Sequence, residues 1–424
     1  MNHHGCLGRV CGLAAGWVAL IVWIEATHGA GESPAPVAPA AFLTTLGFKF
    51  DGSPSCSSEK CHGAEKSVNK KNFWGNEFTL WHGRKDPHHT AFRTLVKPKA
   101  KEIAAAMKIP SAIKSERCLN CHSTLAVGPA GQDLKGKEYT AAEGVSCNSC
   151  HGPSQKYLEP HSKEGWIDTQ RPQGHAALLT GIGLYDTLPV FARATRCTSC
   201  HLMIEPDLVA AGHPQPTFEM NHFSTIYPDR HWHDPAGLFP AQLWASGQLA
   251  EVRDAMLQIG FHAASKSAGA PEELRKAYNQ AMAHVAVFYE LTTVKAIDIA
   301  ALNAQVQALA AANKAKDVAA IGASANAVAE QCQAEPLVKA ISEFNPDAAT
   351  ATKLLGSIAK SDIGKTYGPR GQEQQAYAIE ALAAAIGNDA IKQAVAPMLP
   401  IKPGEPPKWE DYEMALTALR AKLP

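Results

Sequence analysis

The sequence lacks an excess of either charge and lacks the cysteines for a disulfide framework. Its 40 Lys and Arg residues balance 40 Asp and Glu residues, so the formal net charge is zero. A surface that binds nucleic acid usually needs a basic excess, and we therefore expect no nucleic-acid partner. Of eleven cysteines, eight occur in four short motifs and two lie near the N-terminus. Only Cys332 is left over, in a helical series where a small buried hydrophobe is the expected role.

The sequence also lacks an apolar run of membrane-spanning length. Val10 to Ile24 is almost unbroken apolar sequence, but its fifteen residues fall short of the roughly twenty that a transmembrane helix needs. Arg9 precedes this run and small residues follow it near Gly31, which is the pattern of a secretory signal peptide. We therefore predict a signal peptide over residues 1–30 that is cleaved rather than kept as an anchor. The mature protein is expected to be periplasmic or otherwise exported, with no integral membrane span.

Four motifs place two cysteines a short distance apart, with a histidine directly after the second cysteine. Three of them have two residues between the cysteines, and the first has four. C-x-x-C-H is the attachment signature of c-type haem, in which both thiols bind the porphyrin covalently and the histidine is placed to ligate the iron. The motifs are Cys56/Cys61-His62, Cys118/Cys121-His122, Cys147/Cys150-His151 and Cys197/Cys200-His201. We therefore predict four haem c groups with their iron, and an electron-transfer function.

Zinc is the alternative ligand for such cysteine pairs. Two C-x-x-C pairs can supply four thiolates to one zinc ion, and cysteine with histidine can form mixed sites. A zinc site, however, has no need of a histidine directly after every second cysteine. It would also leave the many other histidines between residues 82 and 233 without a role. Haem is therefore the preferred interpretation.

The histidines outside the motifs decide the second axial ligand of each iron. A second imidazole gives a six-coordinate iron suited to electron transfer, whereas an empty position leaves an iron that can bind a small molecule. From the residues alone, His82 is interpreted as a surface or hydrogen-bonded histidine, and His222, His231 and His233 as packing groups in an aromatic stretch. The candidates in the haem-motif region are His82, His88, His89, His161, His175, His213, His222, His231 and His233.

Three segments around the motifs share their sequence with one family of cytochromes. They are DPHHTAFRTL (Asp86–Leu95), GVSCNSCHGP (Gly144–Pro153) and RCTSCHL (Arg196–Leu202). The first resembles a His-x-x-Ala stretch of the tetrahaem cytochrome c-554 family, and the other two match that family's third and fourth haem signatures. The resemblance covers roughly residues 53–233, and it implies a multihaem electron-transfer domain over that part of the chain.

The resemblance also implies which histidines cap the irons. The family's distal histidine in the His-x-x-Ala stretch aligns with His88, and His161 falls where the family has a distal ligand for the first haem. The histidine that the family has shortly before the fourth motif is missing here, near Ala192. His175 or His213 is expected to stand in for it. Which histidine caps which iron is left open by the sequence.

Composition divides the chain into two regions after the signal peptide. A linker rich in Pro and Ala over residues 31–41 precedes residues 42–240, which are rich in Gly, Pro and His and which we interpret as a haem-packed cytochrome c domain. Little regular structure is expected there beyond helices at Pro98–Met107 and Gln215–Phe223. Residues 241–424 are rich in alanine, with apolar stripes at helical spacing. The predicted fold is therefore mainly α, with the haem-packed domain followed by an all-α helical domain.

Three functions are compatible with this pattern. The leading hypothesis is a periplasmic electron carrier with mostly bis-histidine haems, protein redox partners as donor and acceptor, and a helical region for docking or homo-oligomerisation. The alternative is a multihaem oxidoreductase that acts on a small nitrogen or sulfur compound at a five-coordinate haem. Its candidate acid–base groups are His222, Tyr227, Asp229 and Arg230. A third hypothesis, a scaffold in a larger assembly, rests on the helical region alone.

Overall fold

The protein is mainly helical in every part that the structure describes. The structure, a computed structural model, describes residues 39–68, 74–227, 231–232, 234–266, 270–294 and 297–423. Within these ranges there is no β-sheet, and extended pairing is limited to isolated bridges such as that between Phe50 and Lys135. The mainly α fold expected from the sequence is therefore confirmed. The predicted signal peptide and most of the predicted linker lie outside the described residues.

The described residues up to position 227 form short helices joined by 3-10 turns and irregular segments. Pro87, Pro98 and Pro206 each stand at the start of a helix, where the fixed φ of proline suits the helix and its missing N–H needs no partner. The α-helices are α1 (Glu77–Leu80), α2 (Pro87–Thr90), α3 (Pro98–Ala106), α4 (Glu116–His122), α5 (Cys147–His151), α6 (Trp166–Thr169), α7 (His175–Ile182), α8 (Val190–His201), α9 (Pro206–Ala210) and α10 (Met220–Ile226).

Two helices of this region were expected from the sequence, and one of them needs a correction. The helix expected over Pro98–Met107 is present as α3. The helix expected to start at Gln215 instead starts at Met220. The reason is that the side chain of Glu219 accepts hydrogen bonds from the backbone amides of residues 221 and 222, so that it caps α10 at this point.

The described residues after position 238 form a second set of helices, of which several are long. The helical pattern is interrupted at Gly368, between α17 and α18, and by an irregular segment before α20. No helix in the described ranges is both long and apolar enough to cross a membrane. The α-helices are α11 (Phe239–Ala264), α12 (Ala270–Tyr289), α13 (Ala300–Ala315), α14 (Val318–Gln331), α15 (Glu335–Ser342), α16 (Ala348–Lys360), α17 (Ile363–Tyr367), α18 (Pro369–Ile386), α19 (Asp389–Val395) and α20 (Trp409–Arg420).

Helix α11 is the central element of the structure. It packs against α12, α14 and α18 and also against α8, the helix that ends in the fourth motif. Its side chains are buried on all faces, as expected for a helix enclosed by others, and Trp244 and Met256 are fully buried. Gly247 lets α10 approach closely, because a Cβ at this position would lie 2.3 Å from Cβ of Met220. The described residues thus belong to one compact unit that begins at Pro36, and the predicted domain boundary at residue 240 stays a prediction.

Buried acidic side chains lie where α10 meets α11 and α12. Glu219 and Glu251 are both 0% exposed. One carboxyl oxygen of Glu251 accepts a hydrogen bond from the Met220 amide, and the other accepts one from the Gln248 side chain and lies 3.2 Å from Nδ1 of His284. Burial raises the pKa of both carboxyl groups well above the usual range, and the charge of Glu251 raises the pKa of Glu219 further. Both groups therefore retain protons at pH values where exposed carboxyls have lost them.

Candidate haem-binding sites

Each motif histidine faces a second histidine of the chain across a narrow gap. Two metal–nitrogen bonds of about 2 Å, together with the half-widths of two imidazole rings, add up to about 6 Å. Each gap therefore fits one metal ion ligated from both sides, and we number the four sites after their motifs. The ring centroids lie 6.4 Å apart for His62 and His161, 6.2 Å for His122 and His213, 6.4 Å for His151 and His231, and 6.0 Å for His201 and His88.

The standard motifs present their histidine at the end of a helix. Helices α4, α5 and α8 end at His122, His151 and His201. The two cysteines of each motif are three residues apart and therefore lie on the same face of the helix. Both thiols can thus bind one porphyrin, whose iron is reached by the histidine that follows.

The expanded first motif reaches a similar arrangement through a loop. The backbone amides of Cys61 and Gly63 both donate hydrogen bonds to the carbonyl oxygen of Ser58, at 2.9 and 3.0 Å. These bonds close a turn around His62. A residue other than glycine does not fit at position 63, because a Cβ there would lie 1.8 Å from the carbonyl oxygen of Ser57. The turn therefore fixes the backbone on both sides of His62, although this motif has two more residues between its cysteines than the others.

In the first site the two imidazoles are parallel and each is held through Nδ1. The ring planes of His62 and His161 differ by 1°. His62 donates from Nδ1 to Oε2 of Glu77 over 3.0 Å, and His161 donates from Nδ1 to the carbonyl oxygen of Tyr157 over 2.9 Å. Burial by itself would raise the pKa of Glu77, but the hydrogen bonds from His62 and the backbone, together with the charge of His62, outweigh it and the pKa is lowered. Glu77 is therefore an ionised acceptor for Nδ1 of His62.

In the second site the imidazoles are held by neutral acceptors. His122 donates from Nδ1 to Oγ1 of Thr94 over 2.9 Å and approaches the carbonyl oxygen of Ala91 at 3.3 Å. His213 donates from Nδ1 to the carbonyl oxygen of Pro214 over 2.8 Å. Burial lowers the pKa of His122, and the nearby His213 lowers it further. The neutral form of imidazole, which ligates metals, is thereby favoured.

In the third site the partner of the motif histidine comes from a segment fixed by an ion pair. His231 faces His151 with 24° between the ring planes. The next residue, Trp232, lies under the guanidinium group of Arg193 at 4.4 Å from the ring centroid, and Arg193 makes two hydrogen bonds of 2.9 and 3.0 Å to Asp234. Burial lowers the pKa of His151 to about 3 and that of His231 to about 4. Both rings are therefore neutral at physiological pH.

In the fourth site His88 from α2 faces His201 at the end of α8. The ring planes are nearly perpendicular, at 82°. His88 donates from Nδ1 to Oδ1 of Asp86 over 2.9 Å, and Asp86 is 1% exposed. Burial would raise the pKa of Asp86, but the hydrogen bonds from the ring and the backbone amide of His88, together with the charge of His88, lower it. The ring of His201 packs on Phe218 at a centroid distance of 5.2 Å, and burial lowers the pKa of His201 to about 3.

The motif cysteines show which sites adjoin each other. Cys147 lies beside Cys56, and its thiol lowers the pKa of Cys56 to about 7. Cys121 lies beside Cys200, lowers the pKa of Cys200 to about 6, and lines the same cavity. All eight motif cysteines are free of disulfide bonds. The first site therefore adjoins the third, and the second adjoins the fourth.

A cavity lies between the second and fourth sites. Its volume is about 780 Å³, and its wall includes Cys121, Cys200, His122 and His201. Most of the remaining wall is apolar, with Phe218 as one example. An apolar cavity with a few convergent polar groups suits a large, flat, mainly apolar cofactor. The residues present therefore fit haem at these two sites.

Two histidines have surroundings that differ from those expected from the sequence. His175 was expected as a stand-in distal ligand, but it donates from Nδ1 to the Asp186 carbonyl oxygen over 2.9 Å and packs on Tyr185 at 4.5 Å between ring centroids. No motif histidine of the described chain faces it. His231 was expected to pack only, yet it faces His151. The aromatic residues at positions 227 and 232 suggested that the segment around His231 only packs over a hydrophobic surface. The sequence carries no local signal that His231 lies opposite His151.

The other candidate histidines lie away from the motif histidines. His82 stacks on Phe78 at 5.4 Å between ring centroids and lies 5.0 Å from His89. His222 lies 2.8 Å from Oε2 of Glu380 and packs on Tyr377 at 4.4 Å between ring centroids. His233 and two groups proposed for the enzyme alternative, Asp229 and Arg230, lie outside the described residues. The described residues contain no cluster of three or more His, Cys, Asp or Glu side chains arranged to hold a bare metal ion.

Cysteine pairs beside paired imidazoles, on a mainly α scaffold, are typical of c-type cytochromes, a haem- and iron-containing class of electron-transfer proteins. Residues 55–152 match the family model described as cytochrome c554 and c-prime. The resemblance of this part of the chain to the cytochrome c-554 family is thereby confirmed. The match includes the first three motifs, whereas the fourth motif and the helical region lie beyond it. No curated protein and no solved structure matches the chain significantly.

Proposed function

We propose that this chain is an exported, periplasmic cytochrome that transfers electrons between partner proteins through four covalently bound haems, each held between two imidazoles. The observation that supports this most directly is that all four motif histidines face a second histidine at 6.0–6.4 Å between ring centroids. A pair of imidazoles at this spacing fits bis-histidine ligation. Four such pairs along one chain suit a carrier with several redox centres.

The residues of each site have distinct roles in this proposal. The two motif cysteines would bind the porphyrin through thioether bonds, and the motif histidine and its partner would ligate the iron. Haem supplies reversible one-electron chemistry when bound. Hydrogen bonds from Nδ1, such as those of His161 and His213, fix these rings and would leave Nε2 to ligate the iron. Fixed ligands change little when the iron changes charge, and this favours fast electron transfer.

An oxidoreductase would instead need an iron with an open position. The described geometry supplies a partner imidazole to every motif histidine. Tyr227, a candidate acid–base group of that alternative, packs between His88 and His231 at 5.5 and 5.1 Å between ring centroids. His222 is engaged by Glu380. The carrier function is therefore the one that the residues support better.

We further propose that residues 42–240 carry the four haems and that the helical residues 241–424 serve as a docking or homo-oligomerisation module. Contact between α8 and α11 supports a direct mechanical connection between the two regions. The proposed redox partners are proteins that give and accept electrons. No nucleic-acid partner is proposed.

The proposal is tested on the oxidised holoprotein by mass spectrometry and low-temperature EPR, with and without nitric oxide. Four haem masses and only low-spin ferric signals, unchanged by nitric oxide, are expected. Two classes of low-spin signal should appear. Parallel imidazole planes raise the energy of one iron d orbital selectively, whereas perpendicular planes raise the energies of two d orbitals almost equally, and the two cases give different EPR spectra. The interplanar angles are 1° and 24° at the first and third sites, and 64° and 82° at the second and fourth. A high-spin component that nitric oxide abolishes would favour the oxidoreductase.

A further inference from the structure

The four pairs of imidazoles differ in the charge of the groups that hold them. A ligating imidazole donates its second N–H to an acceptor, and that acceptor sets how strongly the ring donates electrons to the metal. In the first and fourth sites one ring of the pair donates to a carboxylate, Glu77 or Asp86. In the second site both rings donate to neutral oxygens. The sequence motifs do not reveal this difference.

The two carboxylates are held firmly against their imidazoles. Glu77 receives a second hydrogen bond, from the Trp74 amide over 2.7 Å. Asp86 receives one from the backbone amide of His88 over 2.9 Å, in addition to the one from the His88 ring. The side chain of Asp86 is 1% exposed and that of Glu77 14% exposed. Bulk water and salt therefore screen these charges only weakly.

The second site offers its rings no comparable charge. Thr94 donates its own hydroxyl proton to the Ala91 carbonyl oxygen over 2.7 Å, so that Oγ1 is free to accept from His122. On the other side the acceptor is the carbonyl oxygen of Pro214, at 2.8 Å from Nδ1 of His213. Neither acceptor carries a formal charge. The ligands of the second site are therefore weaker electron donors than His62 and His88.

A carboxylate acceptor acts on the metal in two ways that have the same sign. It draws the Nδ1 proton towards itself, which makes the ring more basic and a stronger donor to the more positive, oxidised iron. Its own negative charge also favours the oxidised iron by direct attraction in a poorly screened environment. Both effects lower the reduction potential of the site that carries the carboxylate.

We propose that Glu77 and Asp86 are positioning residues that hold the reduction potentials of the first and fourth haems below that of the second. This inference rests on the bis-histidine ligation of the proposed function and deepens it. The second and fourth sites adjoin, because Cys121 and Cys200 line the same cavity and the thiol of Cys200 lies 3.9 Å from the carbonyl oxygen of Asn120. An electron shared by these two neighbours therefore resides mainly at the second site. The carboxylates thus favour electron transfer from the fourth haem to the second over the reverse.

The test is a spectroelectrochemical titration of the holoprotein and of the variants Glu77→Gln and Asp86→Asn, with EPR on the same samples. Each variant keeps the shape of the side chain and removes its charge. One of the four potentials should rise in each variant, and a different one in each. We expect at least a threefold change in the one-electron equilibrium constant, which is about 28 mV at 59 mV per tenfold change. One low-spin EPR signal should shift with it.

Glu143→Gln is the matched control. Its carboxylate accepts a hydrogen bond from the Ser53 amide, lies near the first site and contacts no proposed ligand. Removing this charge should move the potentials less than Glu77→Gln does. The reciprocal variant Thr94→Asp places a carboxylate next to Nδ1 of His122 and should lower the potential of the second haem. It also keeps the inference open to refutation should either amide variant fail to fold.

The outcomes separate this inference from the proposed function. A wild-type protein with fewer than four haems, or with a high-spin iron, would contradict the proposed ligation itself. Four low-spin haems whose potentials and EPR signals stay unchanged in Glu77→Gln, Asp86→Asn and Thr94→Asp would leave the ligation intact and overturn the role of the carboxylates. A fall of the potential in either amide variant would overturn it as well.

Discussion

The imidazole of His62 lies parallel to that of His161, with 1° between the ring planes and 6.4 Å between the centroids. The two residues are 99 positions apart in the chain. His161 is fixed by a hydrogen bond to its own helical turn at Tyr157, and His62 by one to Glu77. Each ring is therefore placed independently of the other, as expected for ligands that approach one metal from opposite faces.

Replacement of His161 by methionine should raise the potential of a single haem. A thioether sulfur is a weaker donor than imidazole and favours reduced iron. A rise on the order of 0.1 V is expected, since axial-ligand identity spans about 0.8 V. Potentiometric titration followed by visible absorption measures it. Four unchanged potentials would show that His161 is not a ligand.

Replacement of His231 by glycine should open one iron. Because His231 is the residue that faces His151, its loss should produce a high-spin EPR signal that nitric oxide abolishes. Added imidazole should restore the low-spin signal by filling the vacated position. His175→Ala is the control, since His175 faces Tyr185 instead, and it should leave the spin state unchanged. A His231→Gly spectrum identical to that of the wild type would refute the third pairing.

Replacement of Cys118 by alanine should weaken haem attachment at the second site. One thioether bond is then lost and only Cys121 is left to bind that porphyrin, so the haem-to-protein ratio should fall. Intact-protein mass spectrometry measures the ratio. Cys332→Ala is the control, because Cys332 is buried among helices and lies outside the motifs. An unchanged ratio in Cys118→Ala would argue against covalent attachment there.

Replacement of Glu251 by glutamine should stabilise the protein increasingly as pH rises from 5 to 8. Burial raises the pKa of Glu251, so the unfolded chain loses this proton at lower pH than the folded protein does. The contribution of Glu251 to the stability of the wild type therefore falls as pH rises above the pKa that this group has in the unfolded chain. Glutamine does not titrate, so the variant lacks this loss of stability. The gain should reach about 1 kcal/mol or more at pH 8, since each unit of raised pKa costs about 1.4 kcal/mol.

The stability difference is measured from urea unfolding midpoints of the oxidised holoprotein at pH 5, 6.5 and 8. Glu410→Gln serves as the control, because Glu410 is exposed on α20, and its unfolding midpoint should follow that of the wild type at every pH. A Glu251→Gln midpoint with the same pH dependence as the wild type would mean that this carboxyl group is ionised in the folded protein.

Much of the fold was predictable because it depends on residues close together in the chain. Helix α12 begins beside Pro271 and two glutamates, and its stripe of apolar residues is visible at helical spacing. Helix α10 was placed five residues too early, because a buried glutamate as its cap is not the usual capping residue. The central place of α11 was not predictable, since burial on all faces depends on the helices that surround it.

The sequence by itself determined which cysteines and histidines form the predicted haem-attachment motifs, because both cysteines and the histidine of a motif lie within a few residues of one another. It could not decide which distant histidine completes each site. His88 and His231 come from segments far from His201 and His151, and a histidine that ligates has the same local sequence as one that packs. Only the tertiary structure decided these pairings, through contacts such as the one that fixes Trp232 on Arg193. The physical reason is that ligation from two sides of a metal requires two imidazoles about 6 Å apart, and a distance between remote segments exists only in the folded chain.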